Sequence, residues 1–111
     1  MASLPRLPRS AIEDELSTSE VARILGVHPR TLERRRRTGG ASRSLEAQRE
    51  QKLHRIWKEL TLLFTPVNAV RWLKTPSPVL DNRLPIEVMA EEGGLDRVLD
   101  VVGRMSWGIP A

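Results

Sequence analysis

Cysteine is absent from the sequence, and with it go disulfides, thiol nucleophiles and cysteine-based metal centres. Tyrosine is absent too, and the whole aromatic content is Trp57, Trp72, Trp107 and Phe64. A chain so poor in β-forming aromatics, with long stretches rich in Leu, Arg and Glu, is expected to be all-α. No apolar run approaches the roughly 18 residues of a membrane span. Residues 1–10 carry two Pro and two Arg where a secretory leader keeps an apolar centre. The expectation is a cytoplasmic protein with no membrane association. Histidine is nearly missing: His28 and His54 stand apart from any Ser/Asp or Glu arrangement that suggests catalysis, and two imidazoles alone make a poor metal site. The chain is expected to be no enzyme and to use no metal or cofactor.

With 111 residues and a 40% hydrophobic share, the chain suits one compact domain or two small helical modules sharing a core. The net charge of +4 is unevenly spread. Residues 1–40 hold eight Arg against five acids, residues 41–60 five basic against three acidic, and residues 61–111 five basic against six acidic. A polyanion would therefore bind the first half.

Within that half, Ser10 can cap a short helix through Leu16. Ser17 and Glu20 then have the spacing of a capping box. The helix they open carries Val21, Ala22, Ile24 and Leu25 and stops at Gly26, which can adopt the left-handed conformation that ends a helix. Pro29 suits the first position of the next helix, because its missing N–H has no partner there. That helix holds Arg30, Thr31, Leu32, Glu33 and the four arginines 34–37, and ends near Gly39. Two short helices around a Gly-containing turn form a helix-turn-helix pattern. It makes His28, Arg30, Thr31, Arg34 and Arg37 the candidate DNA-binding residues, since Arg pairs bidentately with guanine and a recognition helix enters the major groove. The alternative for the arginine run is a solvated helix end, where cations also suit the helix dipole.

Leu53, Ile56, Trp57, Leu60, Leu63 and Phe64 recur as one face of a long helix. Such a helix can join two modules or pair two copies of the chain. Thr65 and Pro66 begin another helix, with Val67, Val70, Trp72 and Leu73. The stretch 75–78, with Pro76 and Pro78, is expected to be non-helical. Pro85 starts a short helix with Ile86 and Met89, which Gly93 and Gly94 break. The last helix aligns Leu95, Val98, Leu99, Val102 and Met105 on one face and can pair Asp100 with Arg104. An apolar tail comes after it: Trp107, Gly108, Ile109, Pro110 and Ala111. Exposed apolar tails favour a partner.

Ala69, Trp72, Leu73, Thr75, Pro76 and Ser77, followed by Leu84, Pro85 and Ile86 and then by Gly103, Arg104, Met105 and Gly108, resemble the toxin-binding domain of the Xre/MbcA/ParS antitoxins. In the first half, residues 30–35 resemble that family's Xre-type helix-turn-helix. Arg35 and Arg36 depart from the pattern by standing where an apolar residue is usual, Ser77 stands where Asn is common, and Pro110 stiffens the tail. The resemblance covers roughly residues 15–111 and implies three segments: residues 1–40 as the helix-turn-helix module, 41–64 as a connecting or dimerising helix, and 65–111 as the toxin-binding domain. It implies an antitoxin whose partner is a RES-domain toxin that destroys NAD or transfers its ADP-ribose. The tail 108–111 would block the toxin's NAD cleft, and Trp72, Arg104 and Trp107 would join it at the interface. Operator DNA, a homodimer within a toxin–antitoxin hetero-oligomer and repression of its own operon complete what the family implies. The competing readings are a stand-alone helix-turn-helix regulator and an architectural protein coating DNA without a preferred site.

Overall fold

The computed structural model describes residues 11–39 and 44–108. Helices α1 (Ala11–Glu15), α2 (Thr18–Leu25), α3 (Pro29–Thr38), α4 (Ser44–Leu63), α5 (Pro66–Leu73), α6 (Pro85–Met89) and α7 (Gly94–Ser106) succeed one another, with a 3-10 turn at Pro78–Leu80. The only extended pairing among the described residues is one antiparallel bridge between Ser77 and Arg83. The chain is all-α, as its composition predicts. Ser10, Ile109, Pro110 and Ala111, the expected cap of α1 and most of the expected tail, lie outside the described residues.

Several helix ends form where local chemistry places them. The Ser17 side chain accepts from the Glu20 N–H at 3.1 Å, and Glu20 accepts from the Ser17 N–H at 2.9 Å, which closes the capping box. Gly26 ends α2 at φ 76°, and its N–H donates to the Ala22 and Arg23 carbonyls. Beside it lies Arg49, whose flexible guanidinium end would have to shift to admit a Cβ. That guanidinium donates to the Leu25 carbonyl at 3.3 Å, so α4 satisfies an orphan acceptor at the end of α2. Pro29 and Pro66 occupy the first turns of α3 and α5, with His28 and Thr65 as their caps.

Packing centres on α4. Leu53, Ile56, Trp57 and Leu60 are buried along it, and α1, α2, α5 and α7 all pack against it. Ile12 and Leu16, Val21, Ala22, Ile24 and Leu25, Leu32, and then Leu73, Val88, Met89, Val98 and Val102 belong to one continuous buried cluster. Burying a Leu or Ile side chain contributes about 1.5–3 kcal/mol, so these helices are held as a single core with α4 as its axis. Two sequence expectations shift in detail. Pro78 opens the 3-10 turn, because a proline is tolerated at the first helical position. Leu63, expected on the buried face, is 42% exposed at the last position of α4.

Helix α7 runs alongside α4 in the same direction. Lys52 Nζ lies 3.0 Å from Asp96 Oδ1, and a Cβ on Gly103 would lie 3.8 Å from Glu59 Oε2. Seven residues along α4 therefore match seven along α7. Continued one turn, that register sets Leu63 level with Trp107.

Gly94 is a packing glycine: a Cβ on it would overlap the Val88 carbonyl oxygen, a backbone atom of α6. Gly94→Ala is expected to destabilise the fold by about 1–3 kcal/mol, measured as a lower urea midpoint. Gly103→Ala, with room for a methyl group and a helical backbone, should raise the midpoint through helix propensity, worth about 1 kcal/mol.

Candidate functional site

Two surfaces hold most of the residues singled out by the sequence. The first is α3. Its cap His28 is exposed and its Nδ1 accepts from the Arg30 N–H at 3.1 Å. Arg30, Arg34 and Arg37 are exposed, Thr31 is half-buried, and Leu32 is buried against the core. Positions 30, 34 and 37 fall on one face of a helix, and Arg23, in the last turn of α2, is also exposed. No ion pair holds Arg23, Arg30, Arg34 or Arg37 among the described residues. The outward face of α3 therefore carries three arginines without ion pairs among the described residues, with the exposed Glu33 between them.

Arg35 and Arg36 behave differently. Arg35 forms an ion pair with Glu46, a buried acid in the first turn of α4. Arg36 Nη2 lies 3.6 Å from Glu13 Oε1 on α1, a distance too long for a hydrogen bond, and Arg36 Nη1 donates to Thr18 Oγ1 at 3.3 Å. His54 Nε2, on α4, sits 4.0 Å from the other oxygen of Glu13. Here two guanidiniums dock α3 onto α1 and α4 through acids and onto α2 through the Thr18 hydroxyl. The arginine run is thus divided, with part of it turned inward as packing and part left outward. Sequence reasoning missed Glu13 and Glu46 because their partners lie 23 and 11 residues away.

A third tie joins the two halves. Lys74 Nζ, at the end of α5, lies 3.1 Å from Glu20 Oε2 in the α2 capping box. Partial burial pushes the Glu20 carboxyl up, but the Ser17 N–H, Lys74 and the Ser17 hydroxyl together outweigh it and hold the group below the usual carboxylate range. Near the other end, the Arg83 guanidinium hydrogen-bonded to Glu91 holds that carboxyl below its usual value as well.

The second surface is the end of α7. Trp107 is 86% exposed, and Gly108 turns the chain at φ 76°. Arg104 is exposed and pairs with Asp100 at 3.2 Å, the i,i+4 contact expected from the sequence. Trp72 stands apart from them in role: it is half-buried and packed against the core. Trp107, Arg104 and Gly108 are thus brought together, while Trp72 lies on α5. The two surfaces sit toward opposite ends of α4. Arg35 is tied near its start at Glu46, Trp107 lies level with Leu63 at its close, and the helix climbs roughly 26 Å between them. Among the described residues no group of three or more His, Asp or Glu side chains is placed to hold a metal ion, and no helix is long and apolar enough to cross a membrane.

Comparison with known proteins places this arrangement. Residues 59–108 match the family described as the antitoxin Xre/MbcA/ParS C-terminal toxin-binding domain. A relative named Antitoxin Xre, from Yersinia enterocolitica, is 30% identical over 93 residues, which is 82% of this chain and 63% of that protein, so the chain spans less than two thirds of its length. A chain in the crystal structure of the M. tuberculosis MbcT–MbcA toxin–antitoxin complex superposes with a TM-score of 0.69 at 25% identity, covering 86% of each chain.

The split of the arginine run has a measurable consequence. Arg35→Ala leaves the Glu46 carboxylate buried without its partner and is expected to lower stability by about 2 kcal/mol, whereas Arg34→Ala, on the outward face, should change it by less than about 0.5 kcal/mol. Paired chemical-denaturation curves compare the two.

Proposed function

The chain is of the Xre/MbcA/ParS antitoxin type, its residues 59–108 forming that family's C-terminal toxin-binding domain, and from that premise we propose that it is the antitoxin of a type II toxin–antitoxin pair. It works in the cytoplasm, and its partner is a RES-domain toxin that consumes NAD or transfers ADP-ribose. The observation that carries this reading is the match of residues 59–108 together with the end of α7, where an 86% exposed Trp107 leads out of the fold. A large aromatic so exposed is costly to leave in water and is a favoured anchor at interfaces. Residues 108–111 continue from it into the toxin's NAD cleft. Pro110 restricts the tail before binding, which lowers the entropy lost when it docks. Arg104 and Trp107 flank the point of entry, and Trp72 supports the domain from α5. The chain acts as an inhibitor and not as an enzyme.

The first half supplies the second activity, repression of the pair's own operon. Helices α2 and α3 form a helix-turn-helix in which α3 is the recognition helix. Arg30, Thr31 and Arg34 reach base edges, His28 and Arg37 lie beside the backbone phosphates, and a two-fold mate supplies the second half-site. What supports the assignment is the outward face of α3, with Arg30, Arg34 and Arg37 unpaired among the described residues while Arg35 and Arg36 are held inward.

Two experiments test these roles. Deleting residues 108–111 is expected to leave the toxin bound but enzymatically active, read as NAD turnover by the purified complex; a truncated chain that still suppresses turnover contradicts the tail's role. Arg34→Ala is expected to weaken operator binding by about 1–3 kcal/mol and to reduce the preference over random DNA. An unchanged ratio of specific to nonspecific affinity, measured at one fixed salt concentration, removes Arg34 from base reading.

A further inference from the structure

The corner between α4 and α5 exposes apolar side chains that the core does not use. Leu62 is 76% exposed, Val67 64% and Leu63 42%. They lie within five residues of one another around the turn at Phe64 and Thr65, and the shared register of α4 and α7 sets Leu63 level with Trp107. Single exposed leucines need no explanation, but several gathered at one end of a small protein mark an interaction surface.

The exposed charge around this corner is positive. Lys58 precedes Leu62 by one helical turn, and Arg71 comes one turn after Val67, so each cation shares a face with an exposed apolar residue. Both cations are exposed, and neither has an ion-pair partner among the described residues. Residues 60–80 contain no Asp or Glu, although the second half of the chain is acidic overall. Its six acids all fall within residues 81–100. Glu59, within a turn of Leu62 and Leu63, is half-buried with its Oε2 turned inward beside Gly103. A second copy docked here by two-fold symmetry would therefore bring the same cations toward each other with no exposed acid to pair them. The surface suits a different molecule, with an apolar centre and an acidic rim.

We infer that Leu62, Leu63 and Val67, framed by Lys58 and Arg71, are a docking surface for an apolar, acid-rimmed face of the toxin, at the same end of α4 as Trp107 but separate from the tail that enters the cleft. The inference rests on the toxin-binding reading above. It divides the work of inhibition: the corner holds the toxin and the tail blocks it.

The test uses the full chain and the toxin encoded beside it, with affinity measured by titration at low and at high salt. The double variants Lys58→Glu with Arg71→Glu, and Leu62→Ser with Val67→Ser, all alter exposed residues, and unchanged melting temperatures confirm that each folds. Both pairs are expected to weaken toxin binding at least about tenfold. The charge reversal should also lose most of the salt dependence shown by the unaltered chain. Binding by the unaltered chain that both double variants leave within twofold overturns the docking surface while sparing the antitoxin reading. Absence of any binding by the unaltered chain overturns both. A light-scattering mass showing a dimer of the unaltered chain that Leu62→Ser with Val67→Ser converts to monomers assigns the corner to a second copy and overturns the inference.

Discussion

Burial of Leu53, Ile56, Trp57 and Leu60 along a single 20-residue helix is the constraint on which the other elements depend. Short helices have little stability of their own in water; α1 and α6 are five residues each, and α2 and α5 eight. They persist because α4 offers them, directly or through α7, a shared apolar surface. The first half of the chain lies along the opening turns of α4, through Arg35 with Glu46 and Arg49 with the Leu25 carbonyl. The C-terminal half lies along the remaining turns, through the parallel pairing with α7 and the packing of α5. One core thus carries two surfaces of different chemistry at a fixed separation.

That arrangement explains the division of charge. A run of four arginines on a helix of ten residues repels itself and has to be placed. Turning Arg35 and Arg36 toward Glu46 and Glu13 removes two charges from the run and docks the helix with them, leaving the outward face to Arg34 and Arg37 with Arg30. Partly buried ion pairs add little net stability over an apolar contact, but losing one partner is costly. They therefore act chiefly to fix how α3 sits. The ion pair of Lys74 with Glu20 is more exposed and ties the end of α5 to the start of α2, so the toxin-binding domain touches the same helix pair that carries the cationic face.

Local signals made much of this legible from sequence. Ser17 with Glu20, Gly26, Pro29, Thr65 with Pro66, and Pro85 each act within a turn of themselves, and helices begin or end at each. The resemblance carried by Ala69, Trp72, Leu73, Thr75 and Pro76 falls inside the matched residues 59–108. What escaped depends on distance. Nothing beside Arg35 in the chain announces Glu46, and nothing beside Gly94 announces the Val88 carbonyl that leaves it no room for a side chain. Periodicity placed Leu63 on the buried face of α4, but whether a face is covered depends on what packs over it, and at that end the cover is incomplete. The same limit hid the apolar corner, since Leu62 and Val67 look like ordinary helix residues until their exposure is known.

With the cationic face of α3 and the exposed end of α7 held on one core, roughly 26 Å apart along α4, the DNA and the toxin proposed as their ligands should not obstruct each other on the same molecule. The most direct test is the mass, by light scattering after size exclusion, of the chain mixed with both the neighbouring toxin and a duplex carrying the pair's own promoter. A single species containing all three components is the predicted result. Two separate populations, one with DNA and one with toxin and none with both, would contradict it.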